Sequence, residues 1–219
     1  MILSVHQPNY LPDSGFFKKI ALCDTFIFLD DVQYEKNGYT NRNKIRVNNE
    51  QGWEWLTVPV HAHHDTLVRD VKIDYSSNWV KQHLGKIDEY YNSAKNFQKV
   101  FPLIETHYEC RFIDLMTLNV NLIMEFCRLL NLNPKMSFSS NFDIETKGSD
   151  RILDLCRLFN CDVYLSGGGG RKYLKMEDFA NNDIDMVFIG EEHKPYRQVF
   201  EPFISGLSEL DFIMNGAII

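Results

Sequence analysis

His6 is the first residue of the chain whose type and position suggest chemistry. It stands where the apolar residues 2–5 give way to a proline-rich turn. An unprotonated imidazole accepts protons, so His6 is a candidate general base. The turn supplies three candidate substrate ligands, which are Gln7, Asn9 and Tyr10. A hydrogen-bonded structural histidine produces the same pattern, and both interpretations stay open.

Two adjacent carboxylates, Asp30 and Asp31, follow the apolar run 25–29, and Gln33 comes shortly after them. Neighbouring side chains on an extended chain point in opposite directions, so this spacing does not make an acid–base pair. A carboxylate at such a point is suited to a ribose hydroxyl, a Mg²⁺ ion or a nearby cation. We predict that Asp31 is catalytic and orients hydroxyls with Gln33, and that Asp30 binds substrate. The alternative is a cap or salt bridge for Asp30 and solvation for Asp31.

Positive charge for an anionic substrate comes from Arg42, which lies between two asparagines, and from Lys36. A guanidinium matches the geometry of phosphate and carboxylate oxygens. Lys36, Arg42 and Asn43 are therefore predicted to bind substrate. Simple solvent exposure is the alternative for the two cations.

A glycine-rich turn at 166–170 follows the apolar residues 163–165 and precedes a predicted helix. Backbone N–H groups in such a turn bind anions. The turn matches neither the P-loop nor the dinucleotide-binding fingerprint, so the sequence predicts neither of those motifs. The predicted substrate ligands here are Ser166, Gly167, Gly168, Gly170 and Tyr173. A flexible connection is the alternative.

The last polar cluster follows the apolar run 185–189. It contributes a candidate catalytic histidine, His193, and two candidate substrate ligands, Tyr196 and Gln198, although the same side chains also suit the hydrogen bonds of turns.

The histidines within 61–64 lack a third fixed ligand, so the sequence predicts no metal site and specifies no cofactor.

The elements that must position these clusters begin with a βαβ pattern. The sequence predicts a strand at 2–6, a helix that Ser14 caps, and a buried strand at 25–29. A β-hairpin at 44–60 follows, and residues 68–73 add a short strand.

A helical apolar period then runs from 76 to about 132, which predicts a helical insertion. In the last third of the chain, the sequence predicts a helix at 150–159 capped by Ser149, a strand at 163–165, a helix at 173–181 and a strand at 185–189. We therefore predict one α/β domain over 1–219 with a three-layer, mainly parallel sheet, a β-hairpin and the insertion. Since ligands bind beyond the carboxyl ends of such strands, the polar clusters are predicted to converge there.

Composition narrows the function classes. The chain carries 23 basic and 30 acidic side chains, and the net charge of −7 argues against nucleic-acid binding. No stretch approaches the roughly 20 apolar residues of a membrane-spanning helix, and no secretory signal is recognisable. Five widely spaced cysteines without a CxxC pair favour reduced thiols and a cytoplasmic location. The oligomeric state stays open.

Aromatic residues are more numerous than a plain core requires, with 16 Phe, 10 Tyr and 3 Trp. Aromatic side chains are suited to line a ligand pocket. Five tyrosines fall in the polar segments and are predicted to line one: Tyr10, Tyr34, Tyr39, Tyr173 and Tyr196.

The order of these motifs resembles the WbqC-like protein family over nearly the whole chain. The matching segments are HQPNYLP (6–12), GFFKKIA (15–21), FLDDVQYEK (28–36), NRNKI (41–45), WEWLTVPV (53–60), VYLSGGGGRKYL (163–174), HKPYRQVF (193–200) and SELDFIMNG (208–216). Asp13 departs from the aromatic residue usual in the family, and Glu209 interrupts a typically apolar stretch.

The resemblance implies a bacterial enzyme of surface-polysaccharide (O-antigen) biosynthesis. We therefore expect a transferase that modifies a sugar nucleotide or related phosphate- or carboxylate-bearing metabolite by acyl or aminoacyl transfer. One alternative is a non-catalytic binding or assembly partner of a polysaccharide-pathway enzyme. Another is a nucleotidylyl-transfer-like enzyme, whose opening strand, histidine turn and helix look similar, although a second histidine in the helix is missing here.

Overall fold

The structure, a computed structural model, describes residues 1–190 and 194–216 of the chain. In chain order these residues form β1 (Ile2–His6), α1 (Ser14–Leu22), β2 (Thr25–Phe28), β3 (Arg42–Arg46), β4 (Trp53–Thr57), β5 (Val60–His61), β6 (Lys72–Ile73), α2 (Trp79–Tyr91), α3 (Phe97–Glu109), α4 (Leu115–Leu129), β7 (Lys135–Phe138), α5 (Gly148–Leu158), β8 (Val163–Gly167), α6 (Met176–Ala180), β9 (Asp185–Ile189) and α7 (Glu209–Met214). Short 3-10 helices cover Val68–Asp70, Ser139–Asn141 and Gly168–Lys172.

The central sheet has five parallel strands in the order β7-β2-β1-β8-β9. This confirms the predicted α/β class. From β1 the chain passes through α1 to β2 on one side, whereas β8 pairs with the other side of β1. The strand order therefore reverses between β1 and β8, and open α/β sheets bind their ligands at this kind of switch point.

Helices cover both faces of the sheet because its strands are apolar on both faces. Side chains alternate along β2, so Phe26 and Phe28 pack with Phe16 of α1 in one core cluster. Ile27 packs on the opposite face with Leu153 of α5. The result is the predicted three-layer arrangement of helix, sheet and helix.

The β3–β4 hairpin packs one face against the core and turns the other face outward. Ile45 and Leu56 are fully buried on the inner face. On the outer face Lys44 lies opposite Trp55. The hairpin therefore confirms the antiparallel pair predicted from the sequence, although its strands begin and end at different residues.

Helices α2, α3 and α4 lie in the chain between β6 and β7 and account for the segment predicted as helical. Their buried residues, including Trp79, Ile104 and Phe126, join the same core cluster as α1. Within the described ranges, no helix is both long and apolar enough to cross a membrane.

Several local predictions were wrong. Asp13 caps α1, accepting a hydrogen bond from Phe16 N at 3.2 Å, and Ser14 is already helical. Helix α5 begins at Gly148, and the Ser149 hydroxyl accepts from Lys175 N instead of capping the helix. Strand β7 was not predicted at all.

Two other predicted elements are shorter in the structure. The helix predicted at 173–181 is confined to α6, Met176–Ala180, because the 3-10 turn Gly168–Lys172 continues the glycine segment. The strand predicted at 68–73 is a 3-10 helix followed by the two residues of β6.

Candidate functional site

Three adjoining cavities lie at the carboxyl end of β1, at the switch point of the sheet. Their volumes are about 330, 250 and 50 Å³, and His6 and Asn9 line all three. We call the three together the central cleft. Lys19 and the turn 167–170 line the 330 Å³ cavity, which we call the glycine side. The 250 Å³ cavity, the loop side, is lined by Gln7, Glu35 and Thr40.

His6 is held in one tautomer by its own turn. Its Nδ1 lies 2.9 Å from the carbonyl oxygen of Gln7. Because a carbonyl only accepts, Nδ1 carries the proton and Nε2 keeps a lone pair. Burial, followed by the nearby Lys19 cation, lowers the pKa of His6 to about 3, so the imidazole is neutral at pH 7. Nε2 is thus a hydrogen-bond and proton acceptor.

Lys19 is a cleft residue that the sequence did not predict. The side chain is buried, with its Nζ 5.7 and 5.9 Å from the ring centroids of Phe16 and Phe26. Burial lowers its pKa to about 7, and the Asp13 carboxylate partly opposes that shift. Lys19 lines two of the three cavities, and its amine has no ion-pair partner among the described residues. A bound anion would favour the charged form, so the amine is suited to a phosphate or carboxylate.

A signal for Lys19 was present in the sequence. It lies three residues after Phe16 and four before Cys23, on the stripe of α1 that faces the sheet. A lysine at a core position of an amphipathic helix is rarely buried without a reason.

The glycine turn also lines the glycine side. Among the described residues, and apart from its immediate chain neighbours, no atom would lie within 4 Å of a Cβ atom at Gly167, Gly168 or Gly169. At Gly170 the Cβ atom would lie 2.1 Å from Ser166 Oγ, so packing requires glycine there. The other three glycines leave the backbone open to close approach by a ligand.

The loop side presents polar groups of a different kind. The Gln7 Oε1 accepts from the Thr40 hydroxyl at 3.0 Å, which orients the Gln7 amide group. Glu35, which the sequence analysis did not select, adds a carboxylate suited to a hydroxyl or an ammonium group. Tyr39 and Tyr173 line both this cavity and the glycine side.

Asp30 and Asp31 lie in a hydrogen-bonded cluster outside these three cavities. Asp30 is buried and accepts from Ser140 N at 3.0 Å and from the Ser140 hydroxyl at 2.6 Å. Asp31 forms an ion pair with Arg151 of α5, and the Ser139 hydroxyl lies 2.5 Å from its Oδ1. These contacts join the ends of β2 and β7 to α5 and favour a structural role for both carboxylates. Asp31 is not solvated as the alternative expected, because its side chain is only 15% exposed in the ion pair with Arg151.

The neighbouring predicted residues also lie outside the central cleft. Asp31 and Gln33 line a separate cavity of about 400 Å³, where the Gln33 amide donates to His64 O at 2.6 Å. Lys36 is exposed and lines none of the cavities named here.

Arg42 and Asn43 belong to the hairpin. The Arg42 guanidinium stacks over the ring of Trp55 at 4.3 Å and donates to Asn37 O at 2.5 Å. The buried Asn43 amide donates to Leu11 O at 2.8 Å and so holds the first turn against the hairpin.

Tyr10, Tyr196 and Gln198 point into the core. The Tyr10 hydroxyl lies 3.0 Å from His83 Nδ1 and also contacts the Tyr108 hydroxyl. Tyr196 and Gln198 both donate to the Asp211 carboxylate, at 2.6 and 2.9 Å. His193 lies outside the described residues.

The predicted residues that converge in the central cleft are His6, Gln7, Asn9, Ser166, Gly167, Gly168, Gly170 and Tyr173. Of the five predicted pocket tyrosines, Tyr39 and Tyr173 line it, and Tyr34 is buried elsewhere. Within the described part of the chain, no three His, Cys, Asp or Glu side chains are placed to hold a metal ion.

Comparison with known proteins identifies the family. The model of the WbqC-like protein family matches residues 7–218. The chain belongs to that family. The chain is similar to an uncharacterized protein of Mycobacterium tuberculosis (strain ATCC 25618 / H37Rv). The two are 29% identical over 217 residues, which cover 97% of this chain and 93% of the relative. No solved structure gives a significant match.

The region that matches the WbqC-like family begins one residue after His6 and includes α1, the hairpin and the glycine turn. Both sides of the central cleft therefore lie within the part of the chain that defines the family, apart from the end of β1.

Proposed function

We propose that this WbqC-like chain is a group-transfer enzyme that binds a phosphate- or carboxylate-bearing metabolite in the central cleft. The observation that carries the proposal is the position of His6 between two cavities of different chemistry. The glycine side offers Lys19 and open backbone, which suit an anion. The loop side offers amide and carboxylate groups, which suit a hydroxyl or amine.

Acyl or aminoacyl transfer is the reaction that fits this arrangement. A hydroxyl or amine on the loop side attacks the carbonyl carbon of the donor, the new C–O or C–N bond forms, and the bond to the leaving group breaks. The nucleophile's proton passes to His6 Nε2 and then to the leaving group. Burial and, after it, the Lys19 charge lower the pKa of His6. An anion at Lys19 opposes the second of these two effects, so binding of the donor makes the imidazole a stronger base.

The family resemblance supports a narrower setting for the same reaction. We place the enzyme in bacterial surface-polysaccharide (O-antigen) biosynthesis, with a sugar nucleotide or related small metabolite as acceptor. A cytoplasmic location is supported by the five cysteines, all of which are free thiols.

A thermal-shift screen tests the proposal. Sugar nucleotides, ATP, acyl-CoA and aminoacyl donors are added to the wild type, to Asn9→Ala in the cleft and to Asn92→Ala, an exposed amide at the end of α2. We expect at least one donor or acceptor to raise the melting temperature of the wild type and Asn92→Ala, and to raise that of Asn9→Ala much less.

Mass spectrometry of reactions that contain a binding donor and acceptor then detects the transferred group. The proposal is wrong if no compound binds, if Asn9→Ala responds like the wild type, or if bound pairs yield no product.

A second candidate function, assembly with another enzyme, is favoured by the groove between α2 and α3. This groove has a volume of about 730 Å³, and Val80, Leu84 and Phe101 form its apolar part. Apolar residues in an open groove are typical of surfaces that bind other proteins. Under this alternative, Leu84→Glu abolishes function in cells whereas His6→Ala leaves it intact, and group transfer predicts the reverse.

A further inference from the structure

The outer face of the hairpin is a cation–aromatic surface next to the cleft. We call Arg42, Lys44, Trp53 and Trp55 the hairpin platform. The Lys44 Nζ lies 4.3 Å from the ring centroid of Trp53 and 5.4 Å from that of Trp55, and Arg42 lies 4.3 Å from the ring of Trp55. The two cations are thus held in place by indole rings.

The two cations of the platform form no ion pair with a carboxylate of the described residues. They stand on a chain whose net charge is −7. Two positioned cations without a carboxylate partner complement an anion that bears more than one charge, such as a diphosphate.

Tyr39 joins the platform to the central cleft. Its ring centroid lies 5.8 Å from that of Trp55, and the same side chain lines both sides of the cleft. The residue is 46% exposed, so part of it is accessible to a planar ligand group at the boundary between the two surfaces.

The size of the loop side requires a long ligand to extend beyond it. A cavity of 250 Å³ is below the range of about 300–1,000 Å³ that encloses a drug-sized ligand, so it accommodates little more than a single sugar ring. When the donor's anion occupies the glycine side, the remainder of a longer acceptor lies outside the cleft, and Tyr39 leads from the loop side to the platform.

We propose that the hairpin platform binds the nucleoside diphosphate part of the acceptor. The sugar then lies in the loop side near His6, the diphosphate on Arg42 and Lys44, and the base against Tyr39 and Trp55. This inference rests on the proposed function, because it assigns the acceptor to a nucleotide-activated sugar and gives its direction of binding.

Tryptophan fluorescence tests the inference directly, because Trp53 and Trp55 are on the platform whereas Trp79 is buried. UDP, dTDP and GDP are each titrated into the wild type, Lys44→Gln and Lys99→Gln, an exposed lysine of α3 that undergoes the same change of charge. We expect at least one nucleotide to quench the wild type and Lys99→Gln, with an affinity about tenfold weaker in Lys44→Gln. Uridine, thymidine and guanosine should bind more weakly, and so should pyrophosphate.

Three results overturn the inference: no quenching by any nucleotide, equal affinity in Lys44→Gln and the wild type, or pyrophosphate binding as tightly as the nucleotides. The Asn9→Ala variant separates this failure from failure of the proposed function. Nucleotide-sugar binding that depends on Asn9 but not on Lys44 retains the cleft as the active site and removes the platform from it. Binding that depends on Lys44 but not on Asn9 does the opposite.

Discussion

At the scale of single residues, Lys19 combines a cost in stability with a use in binding. A buried amine whose pKa lies near 7 is held in surroundings that disfavour its charge. Such a residue is expected to destabilise the folded protein and to be retained for function.

Replacing Lys19 with methionine tests this expectation. Met fills a similar volume with no charge, so we expect the melting temperature at pH 7 to rise by roughly 2–4 °C, which corresponds to about 1 kcal/mol for a chain of this size. Binding of anionic ligands should fall at the same time. Differential scanning calorimetry and the thermal-shift screen measure the two effects.

The matched control is Lys18→Met, the neighbouring lysine of α1, which lines none of the three cavities. A Lys19→Met protein that is less stable than the wild type and binds ligands normally would show that the amine serves packing instead of binding.

Two buried histidines predict how stability depends on pH. Burial lowers the pKa of both His6 and His83 to about 3, from an ordinary value of 6.5. Between pH 3 and 6.5 the unfolded chain binds protons that the folded chain does not, so stability is lost as the pH falls through this window. Each histidine should cost about 2 kcal/mol at pH 5, since one pKa unit corresponds to about 1.4 kcal/mol.

Urea denaturation from pH 5 to pH 8 measures this slope. His83→Gln should reduce the slope, whereas His63→Gln, which changes an exposed histidine, should leave it unchanged. Equal slopes in the wild type and His83→Gln would show that His83 has the same pKa in the folded and the unfolded protein.

At the scale of elements, the sequence predicted those helices and strands that have a clear local pattern of apolar residues. β1, α1 and β2 were predicted because continuous apolar runs and a turn mark them plainly. β7 was not, because Lys135–Phe138 mixes Lys and Ser with two apolar residues and lies at the edge of the sheet. An edge strand is fixed by its pairing with β2, which no local pattern encodes.

Two substitutions in the glycine turn are expected to have opposite effects, one on stability and the other on binding. Gly170→Ala should lower stability by about 1–3 kcal/mol, because its Cβ would overlap Ser166 Oγ. Gly168→Ala should change stability by less than about 0.5 kcal/mol, because no side chain or backbone atom of the described residues beyond its chain neighbours lies within 4 Å of the new Cβ. The same substitution should weaken binding of an anion by the turn. Chemical denaturation and ligand titration separate the two.

The double variant Gly170→Ala/Ser166→Ala removes the overlapping oxygen and should recover part of the lost stability. If Gly168→Ala binds every ligand as the wild type does, the turn only connects β8 to α6.

At the scale of the whole molecule, the sequence predicted the site residues that directly follow neighbouring strands of the sheet, and not those whose positions depend on other contacts. His6 and the glycine turn converge because β1 and β8 are neighbours, and both lie at the carboxyl edge that the sequence predicted. The role of Asp31 was not predictable in this way. Its partner Arg151 is 120 residues away, and only the folded chain brings the two charges together.

The helix α7 joins parts of the fold that are distant in the chain. Its buried Asp211 accepts hydrogen bonds from Tyr91 of α2 at 2.9 Å and from Tyr196 at 2.6 Å. The Tyr91 hydroxyl in turn accepts from Arg46 N of the hairpin at 2.8 Å. At the start of α7, Ser208 N donates to Lys44 O and Glu209 N donates to Pro12 O, at 2.9 and 2.7 Å.

These hydrogen bonds predict that Asp211 stabilises both the hairpin and the turn at residues 7–12. Its effect should therefore extend beyond its own helix. Asp211→Ala leaves several buried donors without an acceptor and should lower the free energy of unfolding by about 3–5 kcal/mol, whereas Tyr196→Phe, which removes one donor, should cost about 1 kcal/mol. Hydrogen exchange of Asp211→Ala should show faster exchange in β3, α2 and α7 at once. If faster exchange is confined to residues 194–200, the contact is local, and the hairpin platform keeps its position relative to the cleft without α7.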